Sequence, residues 1–163
     1  ASDEYPSVLF FEYGKRDESA ISQSVETELS PFENLVNSIF HSGFGVTGIW
    51  PVRTEKPNQR FESFRVAVVF RKIDASLPGT TRRGFINVLK RELPTLLDTA
   101  YGASIEETDK PVAGLGMGMQ VFSKFHQVMN ADGSKMGINE TLNLIYQEVS
   151  VYLTIHAVAA EEA

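Results

Sequence analysis

The feature that most constrains the fold of this sequence is a run of alternating apolar residues at 61–73 (FESFRVAVVFRKI). Successive side chains of an extended strand point to opposite faces, so the alternation assigns one set of residues to each face. The first set is Phe64, Val66, Val68 and Phe70, and the second is Arg65, Ala67, Val69 and Arg71. A strand with one buried face needs a sheet and a covering layer.

A capped helix is predicted from Ser30 onward. Ser30 can cap it, Pro31 suits its first turn, and Glu33 completes a capping box. Apolar residues then recur at helical spacing and form one face, namely Phe32, Leu35, Val36, Ile39 and Phe40. Gly43 is expected to end this helix.

Three further elements are predicted before residue 103. Residues 5–13 (YPSVLFFEY) have the composition of a strand, and so do residues 46–53 (VTGIWPVR). Pro51 limits the second strand to a sheet edge or a bulge. Apolar residues at helical spacing predict a helix over 81–102, which Pro94 is expected to kink or split.

The C-terminal third is predicted to form a long hairpin. Residues 119–129 alternate like a strand, and so do residues 142–158, while the glycines of 114–118 indicate a flexible loop before them. About sixteen residues in one strand would reach roughly 50 Å. Such a strand overshoots a domain of this size and pairs with a neighbour, unless curvature or bulges keep it within the domain.

These elements predict one α+β domain over residues 1–163. Its architecture is a mostly antiparallel sheet with two main helices packed on one face and a long C-terminal hairpin at 119–158. Residues 14–29 are polar and form an arm or an extended loop.

Composition excludes several classes of site. The chain has no cysteine, which excludes disulfides, thiolate zinc sites and a cysteine nucleophile. No apolar run is long enough to predict a membrane-spanning helix. No motif singles out a catalytic, cofactor-binding or metal-binding residue, so the sequence predicts neither an enzyme nor a cofactor.

The charges are unevenly distributed along the chain. Residues 53–91 contain ten basic and three acidic side chains, whereas the segments on either side are both acidic and the whole chain carries −6. A basic face on one subunit could meet an acidic face on the next, or these charges simply solvate the surface. A pI of about 5.1 argues against nucleic-acid binding beyond a local contact.

The candidate interface residues come from the basic helix, from one aromatic side chain on an edge strand and from the predicted C-terminal strand. Aromatic and arginine side chains are common anchors of interfaces. For Trp50, filling the core is an equally good interpretation. The candidates are Arg82, Arg83, Lys90, Arg91, Trp50, Tyr146 and Tyr152.

The order of elements over residues 31–158 resembles that of tail terminator and tail-completion proteins of tailed bacteriophages. The resemblance rests on the capped helix, the hairpin ending in FRVAVVFRKI, the helix FINVLKRELPTLL and the final segment YQEVSVYLTIHAV. It implies a homo-oligomeric ring, typically of six subunits, that joins the tail tube to the neck. It also implies contacts with other phage tail or neck proteins, and a place in the virion after synthesis in the host cytoplasm.

Two other functions remain open from the residues alone. One is a small soluble α+β enzyme or ligand-binding domain, with a pocket between the helices and residues 103–118. The other is a dimeric interaction module, which differs from the ring in symmetry.

Overall fold

The computed structural model describes residues 5–14, 30–53 and 63–162. Five strands and four helices follow one another in this part of the chain. The strands are β1 (Ser7–Gly14), β2 (Phe44–Pro51), β3 (Ser63–Lys72), β4 (Gly79–Thr81) and β5 (Gln127–Met129). The helices are α1 (Ser30–His41), α2 (Arg82–Gly102), α3 (Lys110–Phe122) and α4 (Ile138–Glu162). A short 3₁₀ turn (Glu107–Asp109) precedes α3.

The main sheet is antiparallel and has the strand order β1-β3-β2. The predicted strand of alternating residues is its centre, and Val66 and Val68 are buried as expected. The edge position predicted from Pro51 is confirmed, because β2 lies at one edge and has a register irregularity between Val46 and Gly48. The α+β class and the antiparallel pairing of this sheet are therefore confirmed.

The predicted N-terminal helix is confirmed as α1. Phe32, Val36 and Ile39 face the core. Gly43 follows the helix with a φ of 84°, a left-handed conformation that favours glycine. The predicted arm at 14–29 lies, apart from Gly14 at the end of β1, outside the described residues.

Helix α2 begins at a threonine cap, with the amide of Gly84 donating to Thr81 Oγ1 at 3.1 Å. The helix continues through Pro94, so the expected split is wrong. Pro94 is exposed, and water can reach the carbonyl that its missing N–H leaves without a donor. Its neighbours Leu93 and Leu97 are buried and hold the helix on the core.

The glycine-rich segment 114–118 lies within a helix, α3, and not within a loop. Its glycines allow close packing on both sides of this helix. A Cβ on Gly116 would lie 2.3 Å from the backbone nitrogen of Ile49, and a Cβ on Gly118 would lie 2.1 Å from Ile145 Cγ2. Tertiary contact with β2 and α4 therefore offsets the low helix propensity of glycine.

The hairpin predicted for residues 119–158 is wrong. Residues 119–122 end α3, β5 spans only three residues, and the predicted final strand is part of helix α4. The side chains of Leu142, Ile145 and Val149 recur at helical spacing and are all buried. That stripe outweighs the β-branched residues that suggested a strand. The short strand β5 pairs in parallel with β4 instead.

The helices are stacked on one face of the sheet. Helices α1 and α3 pack against β2, and α2 and α4 pack against α3. The second helix on the sheet is therefore α3 and not the predicted helix at 81–102. The buried apolar residues form one core cluster between these layers. No helix in the described part of the chain is both long and apolar enough to cross a membrane.

Candidate functional site

The face of the main sheet that points away from the helices is apolar in its middle, with Glu12, Arg65 and Arg71 toward its ends. The register aligns Phe10 of β1 with Ala67 of β3 and Trp50 of β2. Val8 lies beside them on the same face and is exposed, and 74% of Phe10 is exposed. The indole of Trp50 lies over Gly48, where a Cβ would be 2.9 Å from its Nε1. We call these residues (Val8, Phe10, Trp50, Ala67 and Val69) the outer sheet face.

The second half of α4 extends beyond the core. The helix has 25 residues, which corresponds to about 37 Å. Val149 is its last fully buried residue, and all side chains from 154 to 162 are exposed. Val151, Ile155 and Val158 follow one another at spacings of four and three residues, so they share one side of the helix. We call these three exposed residues the α4 stripe.

Part of the predicted basic surface is neutralised within the chain. Arg82 forms an ion pair with Glu140 of α4 at 2.9 Å, and Lys90 lies 3.6 Å from Glu148 of the same helix. Arg91 lies 3.5 Å from its neighbour Glu92. Exposed pairs of this kind contribute about 1 kcal/mol or less. The pairs of Arg82 and Lys90 join α2 to α4, whereas the pair of Arg91 lies within α2.

Arg83 is different from the other candidate cations. It is exposed, and it makes no ion pair with any residue that the structure describes. The exposed surface of α2 therefore keeps a positive charge that none of the described residues neutralises. Helix α4, by contrast, contains four glutamates and no lysine or arginine.

The seven candidate interface residues do not converge on one site. Four of them lie on α2, and Trp50 lies on the outer sheet face. Tyr146 is exposed on α4, about 140° around the helix from Val151 at 100° per residue. Tyr152 is half-buried beside α2.

Tyr152 belongs to an open groove between the end of α2, the start of α3 and the second half of α4. The groove has a volume of about 790 Å³, and its polar lining includes Asp98, Glu107 and Lys110. Tyr152 donates a hydrogen bond to Asp98 and stacks on His156, with 3.9 Å between ring centroids. The side chains of Glu107 and Lys110 form an ion pair at 2.5 Å.

Both tyrosines of the groove hold their protons tightly. Burial, and then the hydrogen bond to Asp98, raises the pKa of Tyr152 to about 12. Burial also raises the pKa of Tyr101 to about 12, and its hydroxyl donates to the carbonyl of Lys110 at 2.6 Å. A tyrosine with a raised pKa is a poor base at neutral pH.

Among the described residues, the groove does not contain a hydrogen-bonded nucleophile and base. His156 Nε2 lies 3.9 Å from Asp98, which is longer than a hydrogen bond. The hydroxyl of Thr154 donates to the carbonyl of Ser150 at 2.8 Å, within its own helix. Within residues 5–14, 30–53 and 63–162, no group of three His, Asp or Glu side chains could hold a metal ion.

Sequence reasoning singled out Trp50 of the outer sheet face and missed the rest of both apolar surfaces, although each left a signal. Val8 and Phe10 alternate with Leu9 and Phe11, so β1 is apolar on both faces. A strand of that kind indicates that both faces are covered. On α4, the spacing of the stripe, four and then three residues, matches one coiled-coil heptad. No family model, curated protein or solved structure matches this chain, so its function is argued from these surfaces.

Proposed function

We propose that this protein is a self-associating structural subunit whose copies assemble head to tail into a closed ring. The bacteriophage tail terminators that it resembles have this role. In that role its partners are copies of itself and other phage tail or neck proteins, and its place is the virion. The proposal requires no active site.

The observation that carries the proposal is the exposed α4 stripe. Ile155 is 60% exposed, and Val151 and Val158 are about as exposed. Full burial of one such side chain contributes about 1.5–3 kcal/mol. A partner that covers all three would therefore gain several kcal/mol from this contact. Residues on a helix that projects beyond its own core are accessible to such a partner.

The charges favour a head-to-tail contact over a pair of α4 helices. Glu161 and Glu162 lie at the end of α4, and two copies of this acidic helix would repel each other. The exposed side of α2 is basic, with Arg83 and Arg91 accessible. We therefore place the second half of α4 against α2 of the next copy. Contacts between two different surfaces generate rings when the rotation closes.

A charge introduced into the stripe tests this proposal. The variant Ile155→Glu should lose assembly, because its carboxylate must give up water to enter an apolar contact. An ion pair with an arginine of the next copy's α2 would return about 1 kcal/mol or less. The matched control is Ala157→Glu, which adds the same charge to the groove side of the same helix. The readouts are the solution mass from light scattering over a range of concentrations and the circular dichroism of each variant.

Two outcomes of the mass measurements would contradict the proposal. If Ile155→Glu has the mass of the unmodified protein at every concentration, the stripe is not the contact. If the unmodified protein is a monomer at all concentrations, self-assembly is wrong.

A second candidate function is ligand binding in the groove. It is favoured by the position of Glu107 and Lys110, which bring the predicted pocket segment 103–118 against α2 and α4. A strictly monomeric protein would favour this function over assembly.

A further inference from the structure

The two edges of the main sheet are protected to different degrees. On one edge, β2 contains Pro51 and a register irregularity, and both features hinder pairing with another strand. On the other edge, β1 pairs with β3 in a continuous register from Ser7 opposite Phe70 to Gly14 opposite Ser63. No described residue pairs with the second side of β1.

Strand β1 also lacks the residues that usually prevent edge pairing. It contains no lysine and no proline, and its one charged residue is Glu12. The carboxylate of Glu12 is held by Arg65 of β3 at 2.7 Å. The remaining outward-facing backbone groups of β1 are a template for another strand.

We propose that β1 pairs in antiparallel fashion with β1 of a second copy, about a two-fold axis at Leu9. This inference rests on the proposed self-association and adds a second contact to it. The two sheets become one continuous six-stranded sheet. The new contact lies on a different element from the α4 stripe, so the two contacts can be tested separately.

The register follows from the residues at the two ends of the pairing segment. Residues 7–11 carry no charge, and they are bounded by Pro6, which lacks an N–H, and by Glu12. The midpoint of this segment is Leu9. Pairing about Leu9 places Val8 opposite the partner subunit's Phe10, on the same face of the joined sheet. A shift to Phe10 as midpoint would instead place Val8 opposite a carboxylate.

A second copy fits this edge better than an unrelated extended peptide does. Leu9 is 37% exposed at the border of the core. In the proposed dimer its side chain would pack against Leu9 of the second copy. Val8 and Phe10 of both copies would form one continuous apolar surface with Trp50. A two-fold contact uses the same patch twice, so the apolar complement of β1 is already present on its copy.

Cross-linking through single cysteines tests the contact, because the protein has no cysteine of its own. In the proposed register residue 9 faces itself, with about 4.5–5.5 Å between Cα atoms. That separation suits a disulfide. The variant Leu9→Cys should therefore form a covalent dimer in a glutathione redox buffer, which reverses chance collisions.

The matched control is Ser7→Cys, a nearly isosteric change on the same strand. In the proposed register the two Ser7 residues are offset by four positions, or about 13 Å along the strand, which is too far for a disulfide. We expect at least ten times more covalent dimer from Leu9→Cys than from Ser7→Cys. Equal yields from the two variants would overturn the β1 pairing.

The solution mass of the unmodified protein separates this result from a failure of the proposed function. If the unmodified protein is an oligomer but Leu9→Cys forms no cross-link, the β1 contact is wrong and the proposed assembly is not contradicted. A covalent Leu9→Cys dimer supports the contact, and does so even where Ile155→Glu has no effect on assembly.

Discussion

Single glycine residues decide how close the layers of this molecule approach. Helix α3 contains Gly114, Gly116 and Gly118, and each lies where a Cβ would meet a neighbouring element within 3 Å. At Gly116 the neighbour is backbone of β2, which cannot rotate away as a side chain can. Glycine costs about 1 kcal/mol relative to alanine in a helix interior. The buried contacts of α3 with the sheet and α4 must exceed that cost.

The variant Gly116→Ala should be destabilised by about 1–3 kcal/mol, because α3 must move away from Ile49 to accommodate the methyl group. The control is Gly102→Ala, since a Cβ there has no atom within 4 Å. Denaturant unfolding of both variants gives the two free energies. If both variants have the same free energy of unfolding, α3 and β2 leave room for a methyl group at residue 116.

The hydrogen bond from Tyr152 to Asp98 makes a second prediction at the residue scale. The variant Asp98→Asn should lower the pKa of Tyr152 from about 12, because a neutral amide stabilises the protonated phenol less than a carboxylate does. The pKa of Tyr101 depends mainly on burial and should change little. Ultraviolet titration of tyrosinate, assigned with Tyr152→Phe, measures both.

The same two tyrosines make the free energy of unfolding depend on pH in the alkaline range. Their pKa values are raised above 10 in the folded state, so the unfolded chain releases these protons first. Their contribution to the free energy of unfolding is complete below pH 10 and is lost as the pH rises toward 12. In Asp98→Asn the loss should be smaller. A loss of equal size in both proteins would mean that Asp98 does not affect the ionisation.

At the scale of elements, α4 shows how one segment can carry two patterns. Residues 142–158 alternate well enough to suggest a strand, and they also contain Leu142, Ile145 and Val149 at helical spacing. The helical stripe is decisive because α3 provides a surface on which that side of the helix can be buried. The expected overshoot of roughly 50 Å followed from the rise of a strand, so it does not apply to a helix. The second half of α4 extends beyond the core because Val149 is its last fully buried residue. Helix α4 therefore offers an apolar stripe to a partner, whereas the predicted strand would have offered the edge of a sheet.

At the scale of the whole molecule, the two proposed contacts differ in chemistry and in symmetry. The contact of α4 with α2 joins an acidic helix to a basic one, whereas residues 7–11 of β1 carry no charge. Combining a two-fold contact with a head-to-tail contact gives dihedral symmetry and an even number of copies. If each ring has six copies, two rings would then meet through β1 and the assembly would contain twelve copies.

Salt should separate these two contacts. Raising the ionic strength from 0.1 to 1 M shortens the Debye length from about 10 to 3 Å, which weakens the contact of α4 with α2. The mass from light scattering should therefore fall from that of the full assembly toward that of a dimer. An assembly that dissociates directly to monomers at high salt would contradict a charge-free contact at β1.

The sequence by itself determined the elements whose pattern is local. The helix that begins at Ser30, the glycine at 43, the alternation at 61–73 and the proline at 51 are each specified by neighbouring residues. Physical rules of short range, such as capping, side-chain period and backbone conformation, are sufficient there.

Only the tertiary structure decided the C-terminal third and the candidate surfaces. The glycines of α3 favour a helix only because β2 and α4 lie against them, and α4 is a helix because α3 covers one of its two apolar sides. Which apolar side chains remain uncovered depends on where every other element lies. The outer sheet face and the α4 stripe therefore arise from packing at long range, which a local pattern does not contain.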